Sequence, residues 1–255
     1  MNKTRLSLTA LAIAISAPAY AADLGRSVIR GPAPPAPYID WTGFYLGAHA
    51  GFGWGNADYR FNSAGRYNFF AGDSVSHSMT GALAGGHIGY NWMWNNYVLG
   101  IEGSGTWSGV GSTVASPFFP TDTIRTRLDW FGTVTPRAGI TFGNTMLYAK
   151  GGLAFGEITS RLQDPLTFVE RSDTRIGWTI GAGLDWMLTP NWIVGIEGNY
   201  YDFGKVNVSE NVRLLGTNTT VAGLTTNHDV SVGMASVLGR VSYKLGNWGP
   251  IMARY

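Results

Sequence analysis

The chain contains no cysteine, which excludes a disulfide framework and a thiolate metal centre. Charge is scarce: Asp, Glu, Lys and Arg together make up 13% of the residues, against a usual share of about a quarter. No basic run is present, so nothing supports nucleic-acid binding. Beyond the first residues, no charge-free apolar run is long enough for a membrane helix. A membrane location therefore requires strands. Catalytic signatures are missing as well. There is no G-x-S-x-G elbow, no H-E-x-x-H and no P-loop, and the chain reads as a non-enzyme with no cofactor. In excess are 36 glycines, 10 tryptophans and 12 tyrosines.

The first residues set the compartment. Lys3 and Arg5 precede an apolar run over Leu6–Ala17, and Ala19-Tyr20-Ala21 is a small-residue cleavage site. Residues 1–21 thus form a signal peptide. Without Lys3 and Arg5, 16 basic side chains balance 16 acidic ones. Gly31-Pro-Ala-Pro-Pro-Ala-Pro37 is stiff and cannot enter a sheet interior. Residues 22–40 are therefore expected as a Pro-rich leader, 41–246 as the folded domain and 247–255 as a tail.

A two-residue rhythm runs through the folded domain. In 147–155 the odd positions Leu147, Ala149, Gly151, Leu153 and Phe155 are apolar or small, with Lys150 between them. In 237–245, Val237, Val241, Tyr243 and Leu245 alternate with Arg240, Ser242 and Lys244. Alternation puts the greasy positions on one face of a strand and the polar ones on the other. Eight such segments are expected, near 43–54, 80–92, 97–108, 127–140, 146–156, 175–186, 192–203 and 230–245. In the fourth, Leu128, Trp130, Val134 and Ile140 are expected outward, and Arg127, Asp129 and Arg137 inward. Links near 93–96, 141–145 and 187–191 are short. Those near 55–79, 109–126, 157–174 and 204–229 are long and polar. An exported chain with this pattern predicts an all-β, eight-stranded antiparallel transmembrane β-barrel of the bacterial outer membrane. Its N-terminus is periplasmic and its four long loops face outside. The aromatic residues fall into two girdles, Trp92, Trp186, Trp192 and Tyr243 at the short turns and Trp54, Trp107, Trp130 and Trp178 at the long loops.

The polar face carries the candidate chemistry. Glu102, Asp129, Arg137, Lys150, Asp185, Glu197 and Arg240 are expected to form a charge lattice inside the barrel, with Arg127, Arg175 and Lys244 on the same face. An eight-stranded barrel is just wide enough for its own side chains, and charges buried there must pair. Gly100, also inward, is expected to accept serine at little cost. His49 and His87 face inward on adjacent strands and could be neighbours, as two lumen imidazoles or as part of a metal or haem site. His77 and His228 are placed in or near solvated loops. Asn96-Tyr-Val-Leu-Gly-Ile-Glu-Gly103 and Asn191-Trp-Ile-Val-Gly-Ile-Glu-Gly198 echo each other, which suggests a repeated hairpin with Glu102 and Glu197 at similar depths.

Several segments carry a family resemblance: Asp40-Trp-Thr-Gly-Phe-Tyr-Leu-Gly-Ala-His-Ala-Gly-Phe-Gly-Trp-Gly55, Gly85-Gly-His-Ile-Gly-Tyr-Asn-Trp92, Leu128-Asp-Trp-Phe-Gly-Thr-Val134 and Leu147-Tyr-Ala-Lys-Gly-Gly-Leu-Ala-Phe-Gly156. Together they resemble the alphaproteobacterial small outer-membrane β-barrel proteins, porin-family and surface-antigen proteins within the OmpA-like barrel superfamily. The resemblance implies an outer-membrane location and an eight-stranded barrel, and no catalytic residues. The expected role is structural and surface-exposed, contributing to envelope integrity and surface interactions. A narrow porin and a haem- or metal-binding surface protein are the alternatives. Expected partners are outer-membrane lipid, lipopolysaccharide and, during biogenesis, the barrel-insertion machinery. The chain is expected to act as a monomer.

Overall fold

Alternating side chains and abundant glycine let the strands curl into one closed ring. The computed structural model describes residues 39–61, 72, 74–115, 121–214, 217 and 219–246. The expected signal peptide, most of the leader and the 247–255 tail lie outside them. The strands are β1 (Gly43–Phe61), β2 (Ser74–Trp94), β3 (Tyr97–Ser108), β4 (Gly111–Ala115), β5 (Thr123–Phe142), β6 (Thr145–Gln163), β7 (Thr167–Met187), β8 (Trp192–Leu214) and β9 (Thr220–Lys244). All pairings are antiparallel, and β1 pairs with both β2 and β9, which closes the sheet. β4 continues the line of β3 beyond Gly109 and Val110, and both pair with β2 and β5. The nine segments therefore make eight staves. The fold is an all-β, eight-stranded antiparallel barrel closed into a ring, and β7 and β8 part from each other between Phe168 and Trp178 before pairing again at the hairpin tip.

The turns at one end are tight, as expected. Asn95 and Gly143 take left-handed φ values of 53° and 63° there, which asparagine and glycine tolerate best. The other end differs from the sequence reading. Much of each long polar link is strand: β6 runs to Gln163 and β7 starts at Thr167. The Asp164 carboxylate closes that turn, accepting from the Leu166 and Thr167 amides at 2.7 and 2.5 Å. The hairpins thus stand well beyond the apolar belt. With water outside, the two faces differ less in polarity and the alternation fades, yet the backbone groups still pair.

The outer face between the aromatic girdles is uniformly apolar or small. Trp54, Trp92, Trp107, Trp130, Trp178, Trp186, Trp192 and Tyr243 all lie on it, exposed by 37–75%. Between them stand residues such as Leu46, Ile88, Leu99, Ile101, Leu153, Ile180 and Ile196, all exposed. From Tyr97 to Trp107 the chain rises about 33 Å, or about 25 Å along the axis of a tilted barrel, the height of a membrane belt. Ile101 is 48% exposed, beside Tyr90 and Pro136. Ile101→Arg is expected to destabilise the barrel by about 2–4 kcal/mol in reversible unfolding from a bilayer. A loss under about 1 kcal/mol would place this face in water.

One expectation about faces and one about space are overturned. The β5–β6 register shifts between Leu128 and Trp130. The bulge at Asp129 flips the parity of everything before it. Leu128 is buried at 1% exposure, whereas Arg127 and Asp129 stand on the outer surface and pair with each other at 2.6 Å. Gly100 is inward but has no room for serine. A Cβ there would come within 2.7 Å of the Tyr90 carbonyl oxygen and 2.5 Å of Asn91 Oδ1.

Candidate functional site

The inner face is built in layers along the axis. At the short-turn mouth, Trp41 just ahead of β1 is 1% exposed and packs with Val98, Met146, Met187 and Ile193. Its amide approaches Met93 Sδ at 3.4 Å, and the Met93 amide donates to Thr42 Oγ1 at 3.1 Å. Lys244 Nζ donates to the Asp40 carbonyl. Lys244 therefore fastens this entry segment and is not part of the lattice.

The charge layer follows at mid-barrel. Glu102 on β3 receives Lys150 at 2.9 Å, Arg240 at 2.5 Å and Arg137 at 3.4 Å. Glu197 on β8 pairs with Lys150 at 2.7 Å and with Arg240. Asp185 on β7 takes Arg137 at 2.8 Å. Three carboxylates thus meet three cations, all 8% exposed or less. Such a set is tolerable in a dry interior only because each charge is both neutralised and hydrogen-bonded. The Arg137 guanidinium also lies 3.9 Å from the centre of the Tyr148 ring, a cation–π contact strengthened by the absence of water.

Two tyrosines absent from the sequence expectation complete the layer. Tyr45 donates to Glu102 at 2.8 Å and Tyr148 donates to Glu197 at 2.7 Å. Each pair spans a glycine: Tyr45 aligns with Gly89 and Gly89 with Glu102, while Tyr148 aligns with Gly183 and Gly183 with Glu197. A Cβ on either glycine would meet the tyrosine hydroxyl. These glycines are cut-outs that let a large side chain cross the ladder. The Gly-Ile-Glu-Gly echo in the sequence thus corresponds to a repeated Tyr-Gly-Glu row. The parity of Tyr45 with His49 and of Tyr148 with Lys150 was the available signal for them.

A histidine layer lies next. His49 and His87 are neighbours, with Nδ1 atoms 3.3 Å apart and rings nearly parallel at 5.6 Å. Their Nε2 atoms contact Thr106 Oγ1 at 3.0 Å and Ser242 Oγ at 2.8 Å. A nitrogen-to-nitrogen bond needs one donor and one acceptor, so the pair suits two neutral imidazoles of opposite tautomer. Among the described residues no cluster of three metal-ligating His, Cys, Asp or Glu side chains exists. The cavity shared by the two layers, lined by His49, His87, Glu102, Lys150 and Arg240 among others, measures about 10 Å³. That is room for one water molecule at most.

Beyond the histidines the lumen turns apolar. Leu83, Ile124, Leu128, Phe131, Phe203 and Met234 are each 4% exposed or less and form one cluster. Phe131 meets Tyr201 edge-on at 4.9 Å. Further out, Tyr59 bonds Thr126 and Ser160 at 2.5 and 2.8 Å, and Arg175 is also inward. His77, expected in a solvated loop, is 7% exposed on β2, because that strand extends past the belt. Burial pulls its pKa below the usual imidazole value, partly offset by Asp58, and burial raises that of Tyr59. The His228 side chain lies outside the described ones.

The chain matches the family model described as the outer membrane protein beta-barrel domain over residues 7–235. It is 35% identical over 210 residues to the 31 kDa outer-membrane immunogenic protein of Brucella melitensis, covering 79% of this chain and 88% of that one. It is 29% identical over 240 residues to the 25 kDa outer-membrane immunogenic protein of Brucella abortus, covering 91% and 96%. Among solved structures, the outer membrane protease OmpT of Escherichia coli superposes with a TM-score of 0.51 at 10% identity, covering 80% of this chain and 97% of that one. That likeness bears on the fold alone.

Proposed function

Because the chain belongs to the outer-membrane protein β-barrel family, we propose that it is a non-enzymatic, surface-exposed structural barrel whose lumen is sealed. It resides in the bacterial outer membrane. Its role is to contribute to envelope integrity and to present its long hairpins for surface interactions. In this reading the short turns and the N-terminal segment face the periplasm and the hairpins face outside, as is usual for such barrels. Its partners are outer-membrane lipid with lipopolysaccharide and, during biogenesis, the insertion machinery.

The observation that carries the proposal is the filling of the lumen. An apolar mouth, a neutral charge lattice, a histidine pair and an apolar cluster succeed one another with about 10 Å³ of space at the centre. Ions crossing here would have to break the ion pairs that hold the lattice. A haem does not fit at His49 and His87. Purified protein in planar bilayers is therefore expected to show no stable single-channel conductance. Reproducible ohmic channels that scale with protein dose would replace this reading with a narrow porin.

A further inference from the structure

Among the described residues, the outer face carries an apolar depression inside the membrane belt. Gly86, Gly105 and Gly132 align across β2, β3 and β5, with Phe155 next in the same row on β6. Three adjacent staves thus lack side chains at one height. Trp107 and Trp130, a cross-strand pair, stand one row nearer the hairpins. The resulting groove measures about 590 Å³ and its lining is almost wholly apolar. Phe155 leans over Gly132, whereas a Cβ at Gly105 would meet nothing within 4 Å. The groove is therefore open at Gly105, and its size is that of a ligand site.

Charge gathers directly above it. On the outer face of the hairpins, Arg125 aligns with Arg161, and Arg127 lies one row closer to the belt. Like charges directly opposed across a ladder are unfavourable. Arg127 is paired with Asp129, Arg161 with Glu170 at 3.2 Å, and Glu157 accepts from Trp130 Nε1 at 2.8 Å. Arg125 makes no ion pair among the described residues. An arginine left over at headgroup height, above an apolar groove, complements a lipid that carries both a phosphate and an acyl chain.

We propose that this face holds one molecule of lipopolysaccharide, with an acyl chain in the Gly86–Gly105–Gly132 groove and a phosphate at Arg125. The assignment rests on the hairpins facing outside, which puts the groove in the leaflet where this lipid resides. It is independent of whether the lumen is closed. A phospholipid chain or a second barrel could also lie against the groove, and each gives a different result below.

The test uses the full chain extracted from outer membranes in mild non-ionic detergent and examined by native mass spectrometry. Delipidated protein is also challenged with lipopolysaccharide, phosphatidylglycerol or phosphatidylcholine. Wild type is expected to retain one lipopolysaccharide in preference to either phospholipid. Gly105→Leu fills the groove and is expected to lower occupancy at least about tenfold. Arg125→Ala is expected to lower it about fivefold. Heat-dependent gel mobility checks that both variants remain folded. Equal retention by Gly105→Leu and wild type, preference for a phospholipid, a lipid-free monomer, or a dimer abolished by Gly105→Leu would each overturn the proposal. Failure here leaves the bilayer conductance result, and the structural reading it tests, untouched.

Discussion

Replacing Glu102 by glutamine is expected to destabilise the barrel by about 3–5 kcal/mol, the cost of removing one partner from a buried ion network. The shape of the side chain is kept, so packing is not the cause. What is lost is the charge that three cations share: Lys150 at 2.9 Å, Arg240 at 2.5 Å and Arg137 at 3.4 Å. Glu197 and Asp185 remain, so two carboxylates face three cations with almost no space for water. Arg240→Gln added to Glu102→Gln restores the balance, and the double variant should lose clearly less than the two single losses combined. Urea unfolding from lipid vesicles reads both effects. A loss below about 1 kcal/mol for Glu102→Gln would mean that water reaches the lattice, and the sealed-lumen reading would fail with it.

Phe131→Ala should cost a similar amount, about 3–5 kcal/mol, for a different reason. The ring is 1% exposed and packs on Tyr201 and Phe203 at 4.9 and 6.4 Å. Removing it leaves a cavity bounded by a closed sheet that cannot collapse inward. Leu153→Ala, at 61% exposure on the outer face, should cost much less, because lipid fills the vacated space. The same unfolding assay compares them. Equal losses would show that the apolar cluster beyond the histidines is not a packed core.

Both predictions turn on residues whose faces were legible to different degrees. Glu102 and Glu197 were readable because strict alternation holds on β3 and β8 within the belt. Water or packed polar groups on one side and lipid on the other leave no freedom in parity there. Leu128 departs from its expected face because one extra residue at Asp129 reverses the parity, and nothing in a single sequence marks such a bulge. The apolar cluster was missed for a related reason. Inward positions are expected to be polar, yet past the histidines the lumen is a packed apolar core, with Leu83, Phe131 and Leu238 within the belt and Ile124, Leu128 and Phe203 further out. His77 is buried for another reason, because β2 continues past the belt into the stretch expected as a loop.

The number of staves, their antiparallel order, the apolar belt with its girdles and the identity of most lattice charges are legible in the chain alone. Those features follow from period-two alternation against lipid and from the alternation of short and long links, both local properties of the chain. Which atoms meet depends on the closed ring. Closure of the ring by β1 against β9 brings Glu102 to Arg240, residues far apart in the chain. Register then places Gly89 and Gly183 where Tyr45 and Tyr148 must cross, and sets His49 against His87. Ring closure and register depend on all eight staves together, so no segment read alone contains them.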